Sequence, residues 1–278
     1  MLNLPIPLAA CFLFAAVAAA PQTPPAPAEE PARNSTADLL VTPLNQYGRE
    51  HLHGFIVLVS PELALGNSLR YRRVMAALSH DLYEISLRVP APALVALRDI
   101  PVVVSATTPS VPGMSGRGMV FHVSSAWLTS SGFDAHREGT VEICNADDFL
   151  LWRAEQPFMV LHEFAHGYHW LLGMDRQDVR DAHANAEASG LYRRVSYVLD
   201  HPQNKREAYA LRNPGEYFAE LTEAYFGRND FFPFTRDELR EYDPTGYALV
   251  HRLWHLSAAE LRAENPDLRR NRRTASRP

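Results

Sequence analysis

From residue 54 the chain runs Gly-Phe-Ile-Val-Leu-Val, a β-branched apolar run halted by Ser60-Pro61, which predicts a buried strand over 54–59. Leu69, Val74, Met75, Leu78, Leu82 and Ile85 follow near helical period and predict a helix over 68–87 packed on that strand. Short apolar runs at 100–105 and 119–123 predict further strands, and Glu142-Ile143-Cys144-Asn145 a last, short one. From Pro157 the period turns helical. Phe158, Leu161, Ala165, Tyr168 and Leu172 recur on successive turns, and Gly173 is placed to end that helix. A second helix is expected over 177–188. Asn213-Pro214 offers a cap and a first helical residue for a third, closed by Gly227; Thr235-Arg236-Asp237-Glu238 has capping-box order, and Asp243-Pro244 opens the last helix, to about residue 256. The pattern predicts an α+β fold, with a small mixed sheet in the N-terminal half packed on a helical C-terminal half.

The two ends read differently. Residues 8–20, LAACFLFAAVAAA, form an apolar run too short to span a bilayer, as expected of a signal peptide over 1–20 with an Ala-rich cleavage region. Cys11 lies too near the start, and is followed by too apolar a stretch, for lipid anchoring. A secreted protein, extracellular or periplasmic, with no integral membrane segment after cleavage, is therefore expected. Residues 21–38 are Pro-rich and suit a linker, 39–256 suit one folded domain, and 257–278, rich in Arg, suit a basic disordered tail.

With 27 Lys+Arg against 32 Asp+Glu and a formal charge of −5, the chain has no basic surplus for phosphates, so nucleic acid is not an expected partner. The only cysteines, Cys11 and Cys144, exclude a disulfide scaffold and paired CxxC zinc knuckles. A metal here has to be held by His and carboxylates.

His162-Glu163-Phe164-Ala165-His166 places such residues in the middle of the strongest predicted helix. Positions i and i+4 share a face one turn apart, so two imidazoles can chelate one zinc while the Glu beside the first reaches a metal-bound water. A chain of this composition would contain about 0.03 such patterns by accident, so the motif carries weight. A catalytic zinc needs a third protein ligand. The helix opened by Pro214 offers Glu216, Glu220 and Glu223; Glu216 and Glu220 share a face, so one can bind metal while the other accepts a hydrogen bond from the far nitrogen of a ligand His.

HEFAH, followed some fifty residues on by YALRNPGEYFAE, resembles the catalytic domain shared by anthrax lethal factor and the bacterial Pro-Pro endopeptidases, secreted zinc metallopeptidases of zincin-like fold. In that family a Tyr lies seven residues before the ligand Glu, as Tyr209 does before Glu216. The resemblance covers 142–227. It implies His162, His166 and Glu216 as ligands of one Zn2+ per chain, Glu163 as general base and Tyr209 as the phenol that stabilises the oxyanion. With Glu216 as ligand, Glu220, one turn further along the same face, is the expected carboxylate behind a ligand His.

Weaker candidates are Asn145, placed to meet a peptide if its strand is the sheet edge, and His169, seven residues after His162 on nearly the same face. His122, a lone His in a strand, reads as structural. The expected function is a secreted zinc-dependent endopeptidase acting on a peptide or protein substrate. The alternative is a secreted binding or structural module on the same fold, for which Glu163 would have no use.

Overall fold

The computed structural model describes residues 39–66, 68–201 and 203–265. The expected signal peptide, the linker and the chain from 266 onward lie outside the described residues.

The fold is α+β. Five strands form one mixed sheet, β1 (Gly48–Leu52), β2 (Phe55–Val59), β3 (Val102–Val104), β4 (Met119–Phe121) and β5 (Val141–Ile143), in the spatial order β1-β2-β3-β5-β4. The central three are parallel, and β1 and β4 run antiparallel along the two edges. Helices α1 (Pro61–Gly66), α2 (Ser68–Arg88) and α3 (Ala91–Arg98) make the crossover from β2 to β3. Next come α4 (Ser125–Ser130) and α5 (Ala146–Trp152), then α6 (Met159–Leu172), α7 (Gln177–Ala188), α8 (Pro214–Phe226), α9 (Arg236–Tyr242), α10 (Pro244–Trp254) and α11 (Ala258–Glu264).

Side chains alternate across the sheet. Phe55, Val57, Val59, Val102, Val104, Phe121, Val141 and Ile143 join the main core with the large helices. The opposite face covers a smaller cluster around Val120, Leu128, Phe133 and Cys144. Helix α6 is pressed onto the sheet at Gly167, where an added Cβ would stand 2.7 Å from Ile100 Cδ1 and 3.0 Å from the Phe121 ring. Only glycine allows that approach.

Three expectations change. Strand β1, Gly-Arg-Glu-His-Leu, carries no apolar run; the turn at His53 and Gly54, both at positive φ, folds it back on β2. The strand ending at Asn145 is not an edge, because β4 lies outside it. The tail does not begin at 257: Ser257 and Glu260 form a capping box, Leu261 is buried, and Arg176 pairs with Glu264 at 2.7 Å, so the fold runs on through α11.

Candidate metal centre

Helix α6 is buried on almost every side, so His162 and Glu163 sit in the interior. Helix α8 packs across it and is equally buried from Gly215 to Phe226. Its start is fixed locally: the Asn213 side chain accepts from the Glu216 backbone N–H at 2.9 Å, and Pro214 takes the first position. That cap sets Glu216 on the first turn facing α6.

Three atoms converge there. His162 Nε2 and Glu216 Oε2 are 3.1 Å apart, His166 Nε2 and Glu216 Oε2 3.2 Å, and the two Nε2 atoms 3.2 Å. Ligands at 2.0–2.1 Å around a tetrahedral zinc stand about 3.3 Å from one another, so the spacing fits one such ion. On the far side His162 Nδ1 donates to Glu223 Oε1 at 2.7 Å. With the proton on Nδ1, the Nε2 lone pair faces Glu216 and His166.

The partner of His162 is thus Glu223 and not Glu220. Glu220 instead accepts from Asn229 Nδ2 at 3.1 Å. The helices cross antiparallel, so a residue one turn before His166 on α6 meets α8 two turns beyond Glu216. Spacings of four and seven both return to one helical face, and the crossing selects seven.

Electrostatics follow from burial. Burial alone would raise the Glu216 carboxyl, but His166 and His162 hold it well below the usual range. For His162 burial works against the proton, yet Glu216 and Glu223 push its pKa well above the usual value. Behind it, burial, Asp230 and Glu223 push Glu220 well up, and burial with Glu223 raises Asp230 to about 7. Among the described residues no Lys or Arg pairs with Glu216, Glu220, Glu223 or Asp230. The centre is rich in carboxylate oxygens, and among the described residues its positive groups are imidazoles.

Glu163 is buried, and its carboxyl is raised by burial, with His166 and His162 opposing. It also accepts the backbone N–H of Phe121 on β4. Tyr209 opens a short 3-10 turn, Tyr209–Leu211, just ahead of the Asn213 cap, with the Arg212 guanidinium 5.3 Å over its ring and Nη1 3.3 Å from its hydroxyl.

No family model matches the chain, and no curated protein or solved structure does. The reading therefore rests on these residues.

Two weaker candidates stand elsewhere. Asn145 caps α5, accepting from the Asp147 and Asp148 N–H groups at 3.0 and 3.1 Å. His169 packs on Phe218 with neither ring nitrogen hydrogen-bonded, and burial lowers its pKa to about 4. Seven residues along α6 carry it about 10 Å from His162, about one turn past His166. A cavity of about 540 Å³ at Tyr47, Ser60, Ser105 and Thr108 shares no residue with the centre.

His122 has a structural role. It donates to Glu142 at 2.7 Å, Arg137 Nη1 lies 2.6 Å from the same oxygen, and Ser105 and Thr108 fill the other at 2.7 and 2.8 Å.

Proposed function

We propose that this chain is a zinc-dependent endopeptidase of zincin-like fold, exported from the cell through the apolar run at 8–20. The observation that carries the reading is the convergence of His162 Nε2, His166 Nε2 and Glu216 Oε2 within 3.2 Å of one another, with Glu163 beside the first. A zinc held by these three residues would supply a Lewis acid that polarises the scissile carbonyl and lowers the pKa of water.

The chain's own groups do the rest. Glu163 accepts a proton from the attacking water and returns it to the leaving amine; burial raises its carboxyl toward the pH at which it can do both. Tyr209 donates to the oxyanion, and the guanidinium beside it makes the phenol a stronger donor. Glu223 holds the His162 ring in the tautomer that presents Nε2.

The test combines zinc content with cleavage of a peptide library. One zinc per chain and cleavage abolished by chelator are expected. Glu163→Gln should keep zinc and fold while turnover falls by about a thousandfold or more. Substantial turnover in that variant, or full activity in the metal-free protein, would remove the reading.

A further inference from the structure

A second pair of histidines repeats the one-turn spacing on a different helix. His251 lies in the last turn of α10 and His255 caps its C-terminus, both exposed. Their ring centroids are 4.3 Å apart, against 4.8 Å for His162 and His166.

Each ring is held by its Nδ1. The His255 Nδ1–H donates to the His251 carbonyl at 2.7 Å, an acceptor that fixes the tautomer. His251 Nδ1 lies 2.6 Å from the Tyr225 hydroxyl, which can accept its N–H, and the His251 ring stacks on Tyr247 with planes 8° apart. In the tautomer in which both Nδ1–H groups donate to these oxygens, both Nε2 lone pairs are left for an outside partner. This is how metal-binding imidazoles are prepared. The C-terminal end of α10 adds a negative dipole that favours a cation.

We propose that His251 and His255 form a second, exposed site for a divalent transition-metal cation of the Zn2+, Ni2+ or Cu2+ kind, bound through both Nε2 atoms. Water completes the coordination. Arg236, 3.9 Å over the Tyr225 ring, and Arg252 bring positive charge nearby. The surface site is therefore weaker than the buried centre and exchanges its ion faster. Desolvation, His255 and Arg236 also lower the His251 pKa, which favours the uncharged ring that a metal takes.

Equilibrium dialysis and calorimetry with Ni2+ and Zn2+ on the full chain test this independently of the peptidase reading. The wild type should show a weak class of one ion per chain, and His255→Ala should weaken that class at least tenfold while leaving thermal stability and any tight class unchanged. Paired His162→Ala and His166→Ala should keep the weak class, and Ni2+ should broaden the imidazole signals of His251 and His255 in NMR spectra. If the paired variant does not fold, the comparison of wild type with His255→Ala decides alone. A weak class that survives His255→Ala, or no weak class in the wild type up to millimolar metal, would overturn the proposal.

Discussion

A single buried carboxylate, Glu142, and a group of four, Glu216, Glu220, Glu223 and Asp230, lie on opposite sides of one sheet, and they are balanced in opposite ways. On the face away from α6, Glu142 has both oxygens filled by Ser105, Thr108, His122 and the guanidinium of Arg137. Burial would raise that carboxyl, but Arg137 and His122 keep it well below the usual range. On the α6 side, Glu216, Glu220, Glu223 and Asp230 meet no Lys or Arg among the described residues. A carboxylate is expensive to bury unless a cation comes with it. Where the chain supplies a guanidinium the arrangement is architecture; where it supplies only imidazoles, the zinc we propose is the cation that would complete the balance.

That contrast can be broken most forcefully at Arg137. Arg137→Met leaves Glu142 buried without its cation and should cost about 3–5 kcal/mol in chemical denaturation, much of it recovered by adding Glu142→Leu. A cost below about 1 kcal/mol would erase the distinction.

Metal removal is the matching experiment on the other face. With zinc at 100 to 1,000 times its Kd, stripping by chelator should lower stability by roughly 3–4 kcal/mol in calorimetry, by the same amount in wild type and in Arg137→Met. A chelator effect that changed with Arg137 would mean the clusters are coupled through the sheet.

Within the centre, Glu223→Gln should weaken zinc ten- to a hundredfold, about 1.4–2.7 kcal/mol, while Glu220→Gln changes affinity by less than about threefold. The reverse ranking in zinc titrations would return the role to Glu220.

The smallest effect is a difference in the sign of pH dependence. Glu142, with its pKa depressed in the fold, contributes stability that is present above the unfolded value of about 4 and is lost as pH falls through the folded one. Asp230, raised to about 7, binds more proton folded than unfolded, so the metal-free protein should lose stability as pH rises from about 4 to 7. Urea denaturation of chelated protein across that window should show the decline, and Asp230→Asn should flatten it.

Helices α6, α8, α9 and α10 were legible in the sequence because their ends carry chemistry of their own, Gly173, Asn213-Pro214, Thr235 with Glu238, and Asp243-Pro244. The convergence of His162, His166 and Glu216 was legible because the two histidines share a helical face and Glu216 lies seven residues after Tyr209, as in the family the sequence resembles, on the first turn after Pro214. What escaped depends on tertiary arrangement. Whether Glu220 or Glu223 meets His162 is decided by the antiparallel crossing of two helices, which no local spacing records. The place of Asn145 depends on strand order, since β4, earlier in the chain, takes the outer position beside β5. Strand β1 has a charged, exposed pattern because it borders solvent, and the arginines after 257 masked the capping box that starts α11.

The hydrogen bond from the Phe121 N–H to Glu163 has a consequence for how α6 is held to the sheet. Along β4 and its flanks, Gly118, Val120 and His122 turn their backbone groups toward β5, as the bonds from Cys144 N–H to Gly118 and from His122 N–H to Thr140 show, so Met119 and Phe121 direct theirs away from it, on a strand whose residues are all buried. A buried backbone donor is costly to leave without an acceptor. The Glu163 side chain therefore rivets α6 to the outer strand, and its replacement by Ala would strip the Phe121 N–H of an acceptor that Gln, retaining a carbonyl oxygen, can still supply.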